Sequence, residues 1–188
     1  MRILLLDNYD SFTFNLLHLV EKISPNVVDV YKNDVIDLAA VDAYDKILLS
    51  PGPGLPKDAG IMPALLQRYA STKSIFGICL GMQAIAEHYG SKLRNLNTVC
   101  HGLALPCFPK QANDLFLNCP NEFPVGRYHS WVVDEHHLSP NLRVTATDHQ
   151  GLIMALQHQS DKVCGVQFHP ESILSSYGET IMCNWLNA

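Results

Sequence analysis

The sequence predicts an α/β fold, a parallel sheet with helices on both faces, followed by a part richer in β-strand. Three observations lead there. Over residues 1–90, short apolar runs alternate with segments whose apolar residues recur at helical spacing. Two glycine-containing turns, Ser50–Pro56 and Gly77–Gly81, directly follow apolar runs, where the C-terminal edge of a parallel sheet lies. From Val99 to Gln167 the apolar runs follow one another without helical segments between them.

The elements follow in order. Arg2–Leu6 reads as a buried strand. Phe12, Leu16, Leu19, Val20 and Ile23 then share one helical face, with Asp10 or Ser11 available as N-cap. Val27–Tyr31 and Lys46–Leu49 read as strands. Met62, Leu65, Leu66 and Tyr69 mark a second helix, and Ser74–Ile78 another strand. Met82, Ile85, Ala86 and Tyr89 mark a third helix, stopped by Gly90. Later strands are expected at Leu103–Phe108, Trp131–Val133, Leu142–Thr147, Ile153–Leu156 and Val163–Phe168. A last helix carries Ile181, Met182, Trp185 and Leu186. The late strands either extend the parallel sheet or form an antiparallel annex, and the pattern leaves both open.

With 188 residues and no repeat or linker, residues 1–188 are expected to form one domain. A chain of this length buries roughly 70% of its unfolded surface and needs no metal or disulfide to hold its core. The 47% hydrophobic content excludes disorder, and the net charge of −5 argues against nucleic-acid binding. The 16% charged fraction is low for a free-standing surface and hints at a partner face. No apolar stretch is long enough to span a membrane. The opening MRILLLDNYD turns acidic too early for a signal peptide. Six cysteines (Cys79, Cys100, Cys107, Cys119, Cys164, Cys183) include no CxxC pair, so neither a zinc site nor a redox centre is expected. Reduced thiols in a cytoplasmic protein without metal or cofactor are the expectation.

The chemistry concentrates in Gly77-Ile78-Cys79-Leu80-Gly81. A cysteine between an apolar strand and a helix, with glycine two residues either side, is the pattern of a nucleophile elbow. The glycines leave room where side chains would strike the neighbouring strand and helix. The helix N-terminus favours a thiolate at Cys79, and the N–H of Leu80 is placed to act as an oxyanion donor. A buried structural cysteine with packing glycines is the plainer alternative.

A nucleophile needs a base, and nine histidines are available. His169 ends an apolar run in Val166-Gln167-Phe168-His169-Pro170-Glu171. In an extended segment Glu171 would share its face and orient the imidazole. The loop Ser50-Pro51-Gly52-Pro53-Gly54 lies at the same sheet edge as Cys79, and Gly52 is the candidate second oxyanion donor. Alone, this loop is also compatible with a plain turn. Gln83, one turn beyond Cys79, either meets a polar substrate or faces solvent. Tyr128-His129-Ser130-Trp131 precedes a strand, and its periodicity alone suggests a structural role.

Together these segments resemble the class I glutamine amidotransferases. The resemblance covers LLLDNYDSFTFNL (4–16), SPGPGLPKDAG (50–60), GICLGMQAIA (77–86), RYHS (127–130) and GVQFHPESILS (165–175). The DNYDSFT opening and the serine of HPES resemble the branch of small subunits of anthranilate synthase and aminodeoxychorismate synthase. The resemblance implies a flavodoxin-like, mostly parallel sheet with an added antiparallel part. It implies hydrolysis of L-glutamine to glutamate and ammonia by Cys79, His169 and Glu171. It implies glutamine contacts at Gly52, Pro53, Gly54, Leu80, Gln83, Ser130 and Trp131. It also implies a partner, a chorismate-binding synthase, with the Asn8–Ser11 loop expected to face it. The chain departs from the family pattern at Trp131, where leucine is usual, and at Leu103, where lysine is usual. Three other functions fit parts of the pattern: an amidotransferase component of another synthetase, a non-catalytic relic of the fold, and a cysteine hydrolase.

Overall fold

The computed structural model describes residues 1–110 and 113–188, with residues 98–100 described by backbone alone. Among them, nine strands form one sheet: β1 (Arg2–Asp7), β2 (Val27–Lys32), β3 (Lys46–Leu49), β4 (Ser74–Ile78), β5 (Leu93–Pro109), β6 (Phe123–Val133), β7 (Leu142–Thr147), β8 (Ile153–His158) and β9 (Val163–Val166). Their spatial order is β2-β1-β3-β4-β9-β8-β7-β5-β6. The first five in that order pair in parallel and the rest antiparallel. The late strands therefore do both things the sequence allowed. β9 completes the flavodoxin-like parallel half, and the others extend the same sheet antiparallel to it.

Four α-helices cover the sheet: α1 (Thr13–Ile23), α2 (Met62–Tyr69), α3 (Leu80–His88) and α4 (Gly178–Asn187). Strand β1 shows why. Ile3, Leu4, Leu5 and Leu6 are all fully buried, although successive side chains point to opposite faces. Ile3 and Leu5 pack with Leu16 and Val20 of α1 and with Ile181 and Trp185 of α4. Leu4 and Leu6 pack with Leu65 and Leu66 of α2 and with Met82 and Ile85 of α3. A continuous apolar run is what a strand covered on both faces requires. No helix among the described residues is long and apolar enough to cross a membrane.

Helix ends follow local chemistry, with one correction. Gly90, at φ 94°, ends α3 in a Schellman motif: its N–H reaches Glu87 O at 2.9 Å, and Ser91 N–H reaches Ala86 O at 2.9 Å. At α1, neither Asp10 nor Ser11 is the N-cap. Phe12 occupies that position, and Asp10 accepts from the Phe12 N–H at 2.8 Å in a turn just before the helix.

Strands β5 and β6 are much longer than the expected Leu103–Phe108 and Trp131–Val133. Pro124 and the polar run Arg127–Ser130 hide β6 from a pattern search. At the sheet edge, with only β5 beside it, such residues are tolerated. β5 is broken by irregularities between Asn95 and Cys100 and between His101 and Leu103, where Gly102 takes φ 67°.

The loops after β1, β3, β4 and β9 all emerge at one edge. A buried amide cluster ties the first two together. Asn8 donates through Nδ2 to Ser50 O at 2.8 Å and accepts at Oδ1 from Asn33 at 3.0 Å, while its N–H meets Ser50 Oγ at 2.8 Å.

The glycine spacing around Cys79 has a measurable cost if altered. A Cβ on Gly77 would stand 2.4 Å from the Gly81 carbonyl carbon, whereas one on Gly90 would meet nothing within 4 Å. Gly77→Ala is expected to cost about 3 kcal/mol by overpacking, and Gly90→Ala about 1 kcal/mol through its positive φ. Urea unfolding of both variants checks the order; equal losses would contradict it.

Candidate active site

Cys79 stands between β4 and α3 at φ 51° and ψ −102°, a conformation a side-chain-bearing residue rarely adopts. The turn is held by its surroundings. The Cys79 N–H donates to Val166 O at 2.8 Å, and its carbonyl accepts from Gln83 N at 3.0 Å. A Cβ on Gly81 would stand 2.6 Å from Leu49 O, and one on Gly165 of β9 would stand 2.8 Å from Gly77 O. The two flanking glycines and Gly165 thus let β3, β4, β9 and α3 close around the turn.

His169 and Glu171 meet as expected, with His169 Nδ1 and Glu171 Oε1 2.7 Å apart. The local geometry differs from the extended segment expected, because β9 stops at Val166. His169 pairs with Gly126 of β6, and a turn closed by Ser172 N–H on His169 O at 3.2 Å brings the carboxylate round. Ser175 staples this turn to β6, donating to His169 O at 2.5 Å and accepting from Gly126 N at 3.0 Å. The rings of Phe12 and Tyr128 pack on the imidazole at 5.4 and 4.9 Å between centroids. Both side chains are buried, and with Nδ1 held by Glu171, Nε2 is the ring nitrogen left free for Cys79. Burial disfavours a charged His169, but the Cys79 sulfur and the Glu171 carboxylate together outweigh it and raise its pKa.

Gly52, Pro53, Gly54, Cys79, Gln83, Ser130 and Trp131 line a single cavity of about 260 Å³, together with Tyr128 and His129. That is close to the lower end of small-molecule clefts, ~300–1,000 Å³. Leu80 backs the same wall: a Cβ on Gly52 would stand 2.9 Å from its Cδ2 and 2.6 Å from Asn8 Cβ. Glycine is therefore needed at 52. Gln83 does not face solvent. It is 3% exposed, and its Nε2 donates to Trp131 O at 2.9 Å and to Gln167 Oε1 at 3.2 Å.

Sequence reading missed three members of this neighbourhood. Gln167 donates from Nε2 to Cys79 Sγ at 3.5 Å. Arg127 and Asp148 form a fully buried ion pair at 2.7 Å behind the cavity wall. Arg127 Nε donates to His129 Nε2 at 3.1 Å, so His129 Nδ1 carries the proton and donates to Trp131 O, also at 3.1 Å. For Gln167 the signal was present: a polar residue inside an apolar run needs a buried partner.

The other thiols lie elsewhere. Cys107, Cys119, Cys164 and Cys183 are free, and burial raises the first three. Cys100 lies outside the residues whose side chains are described. Among the described residues no cluster of three His, Cys, Asp or Glu side chains could hold a metal ion. Leu103 is exposed on β5, opposite Arg127 of β6; Tyr9 is exposed on the Asn8–Ser11 loop at φ 62°.

A flavodoxin-like parallel core thus brings a cysteine elbow and a buried His–Glu pair to the same sheet edge. The match to the family model "Glutamine amidotransferase class-I" spans residues 4–188, and the chain belongs to that family. It is 44% identical to anthranilate synthase component 2 of Lactococcus lactis subsp. lactis, over 98% of this chain and 93% of the relative. It is 41% identical to aminodeoxychorismate synthase component 2 of Escherichia coli K12, over 98% and 99%. The fold is shared with a crystal structure from Thermoplasma acidophilum, that of a protein assigned to GMP synthase, at TM-score 0.89 and 21% identity, covering 100% of this chain and 92% of the other.

The second histidine makes stability pH-dependent on the acid side. Burial, reinforced by the Arg127 charge, lowers His129 from 6.5 to about 3. Below the unfolded value the unfolded chain takes up a proton that the folded chain refuses, so stability is lost as pH falls from 6.5 toward 3. His129→Gln keeps an acceptor for Arg127 but does not titrate. Comparing unfolding free energies at about pH 7 and about pH 4.5, the native chain is expected to lose more than the variant; equal losses would contradict this reading.

Proposed function

We propose that this chain hydrolyses L-glutamine through a Cys79–His169–Glu171 triad and passes the ammonia to a chorismate-binding synthase partner. The observation that carries the reading is the single cavity. It joins the strained nucleophile position to the Gly52–Gly54 loop and to Ser130–Trp131, with the 2.7 Å His169–Glu171 pair beside Cys79.

In this reading the Cys79 sulfur, as thiolate beside the His169 imidazolium, attacks the carboxamide carbon. The N–H groups of Gly52 and Leu80 stabilise the oxyanion of the tetrahedral intermediate. The carbon–nitrogen bond breaks as His169 Nε2 delivers its proton to the departing nitrogen, leaving a glutamyl thioester and ammonia. Water then attacks the thioester with His169 as base, releasing glutamate and restoring the sulfur. Glu171 holds the ring tautomer and balances the imidazolium charge. Gly52, Pro53, Gly54, Gln83, Ser130 and the backbone of Trp131 hold the substrate. Trp131, in place of the usual leucine, would keep a backbone contact while making the cavity wall bulkier.

Partner use is read from the relatives, which are named as components of anthranilate synthase and of aminodeoxychorismate synthase. Identities of 44% and 41% do not separate the two. The synthase that co-purifies with the chain decides between them. For catalysis, Cys79→Ala in that complex is expected to abolish glutamine-dependent amination, since losing the nucleophile of a comparable triad costs about 10⁶-fold in turnover. Ammonium salt should restore near-normal product. Efficient use of glutamine by the variant would sink the nucleophile assignment.

A further inference from the structure

Beyond the triad, one buried side chain touches the sulfur. Gln167 is 0% exposed, and its Nε2 lies 3.5 Å from Cys79 Sγ. An amide can present either its oxygen or its NH₂, and only the network decides which. Here the polarity is fixed from the backbone outward. The Trp131 carbonyl can only accept, and it takes hydrogen bonds from His129 Nδ1 at 3.1 Å and Gln83 Nε2 at 2.9 Å. Gln83 must therefore turn its NH₂ inward. Its second donor meets Gln167 Oε1 at 3.2 Å. With its oxygen held there, Gln167 must turn its own NH₂ to the sulfur. A flipped Gln167 would set two NH₂ groups against each other and an oxygen against the sulfur's electron pairs.

We propose that Gln167 is a further catalytic residue, donating a hydrogen bond to the Cys79 sulfur, and that Gln83 and the Trp131 carbonyl are the positioning groups that fix its orientation. The proposal rests on Cys79 being the nucleophile. The donor stabilises the anionic sulfur before attack and is relinquished as the carbon–sulfur bond forms. Because Trp131 and Gln83 also line the substrate cavity, substrate seated there meets the same network that holds the nucleophile.

The charged and titratable groups facing Cys79 are few. His169, backed by Glu171 and covered by Tyr128, is the direct one, and His129 stands behind the Trp131 carbonyl. The Ser50–Gly54 loop and α3 through Ala86 carry no titratable side chain. A change in Cys79 reactivity on altering Gln167 is thus read against one imidazole.

The test is the pH dependence of Cys79 alkylation by iodoacetamide in the full chain, followed by peptide mass mapping. This readout needs neither glutamine turnover nor a partner. Gln167→Met, of similar length, is expected to move the profile up by about one pH unit and slow alkylation at neutral pH about tenfold, the worth of one charge-assisted hydrogen bond. Gln83→Met leaves the donor but frees its orientation, so a smaller shift in the same direction is expected. If Gln167→Met does not fold, the Gln83→Met profile decides alone. Profiles superimposable on that of the native chain in the folded variants would overturn the proposal. A shift with Gln167→Met but none with Gln83→Met would overturn the orienting half. Failure of Cys79 in the native chain to react above the other thiols would instead overturn the nucleophile reading beneath it.

Discussion

At Cys79 the chain leaves β4 with φ 51° and enters α3 within one residue. Such a conformation costs of order 1–3 kcal/mol and survives only where the surroundings over-determine it. Here three glycines do so. Gly77 and Gly81 lie so close that a Cβ on either would strike backbone, and Gly165 lets β9 pack against both β4 and Met82 of α3. The strain raises the sulfur to the open edge of the sheet at the first turn of a helix. Everything else at the site is arranged around that fixed point. The Asn8–Ser50–Asn33 cluster holds the Gly52 loop on one side. The Ser175 staple holds the His169 turn on the other.

Two buried histidines within the same half of the sheet take opposite charge states for visible reasons. His169 is clamped between a carboxylate and a sulfur, which favour the imidazolium despite burial. His129 faces the Arg127 guanidinium and the Trp131 carbonyl, and burial keeps it neutral. In stability the two have opposite signs. The His129 contribution is lost as pH falls below 6.5. That of His169 is present below 6.5 and lost as pH rises through its raised value.

Which parts were legible follows from the range of the interactions. The Cys79 elbow is written in five consecutive residues because its constraint is local sterics. His169 and Glu171 are two residues apart, so their meeting could be expected, although a turn and not a strand brings it about. The parallel half was legible because both faces of β1, β3 and β4 are covered, leaving uninterrupted apolar runs. β6 was not, because an edge strand tolerates Pro124 and a polar stretch. Its Ser130 therefore read as lying just before a strand that began at Trp131, although both lie well within one. Gln167 was hidden for the converse reason. It sits in an apolar run, and its partners Gln83 and Cys79 are 84 and 88 residues away in sequence.

The reading of this fold as an active enzyme comes down to one covalent bond. The most direct measurement is the mass of the chain, mixed with the proposed synthase partner and quenched in acid in the presence of glutamine, followed by peptide mapping and hydroxylamine treatment. A single glutamyl group on the peptide containing Cys79, released by hydroxylamine as a thioester, is the expected result. A glutamyl group on any other cysteine, or undiminished turnover by a chain whose Cys79 has already been alkylated, would contradict it.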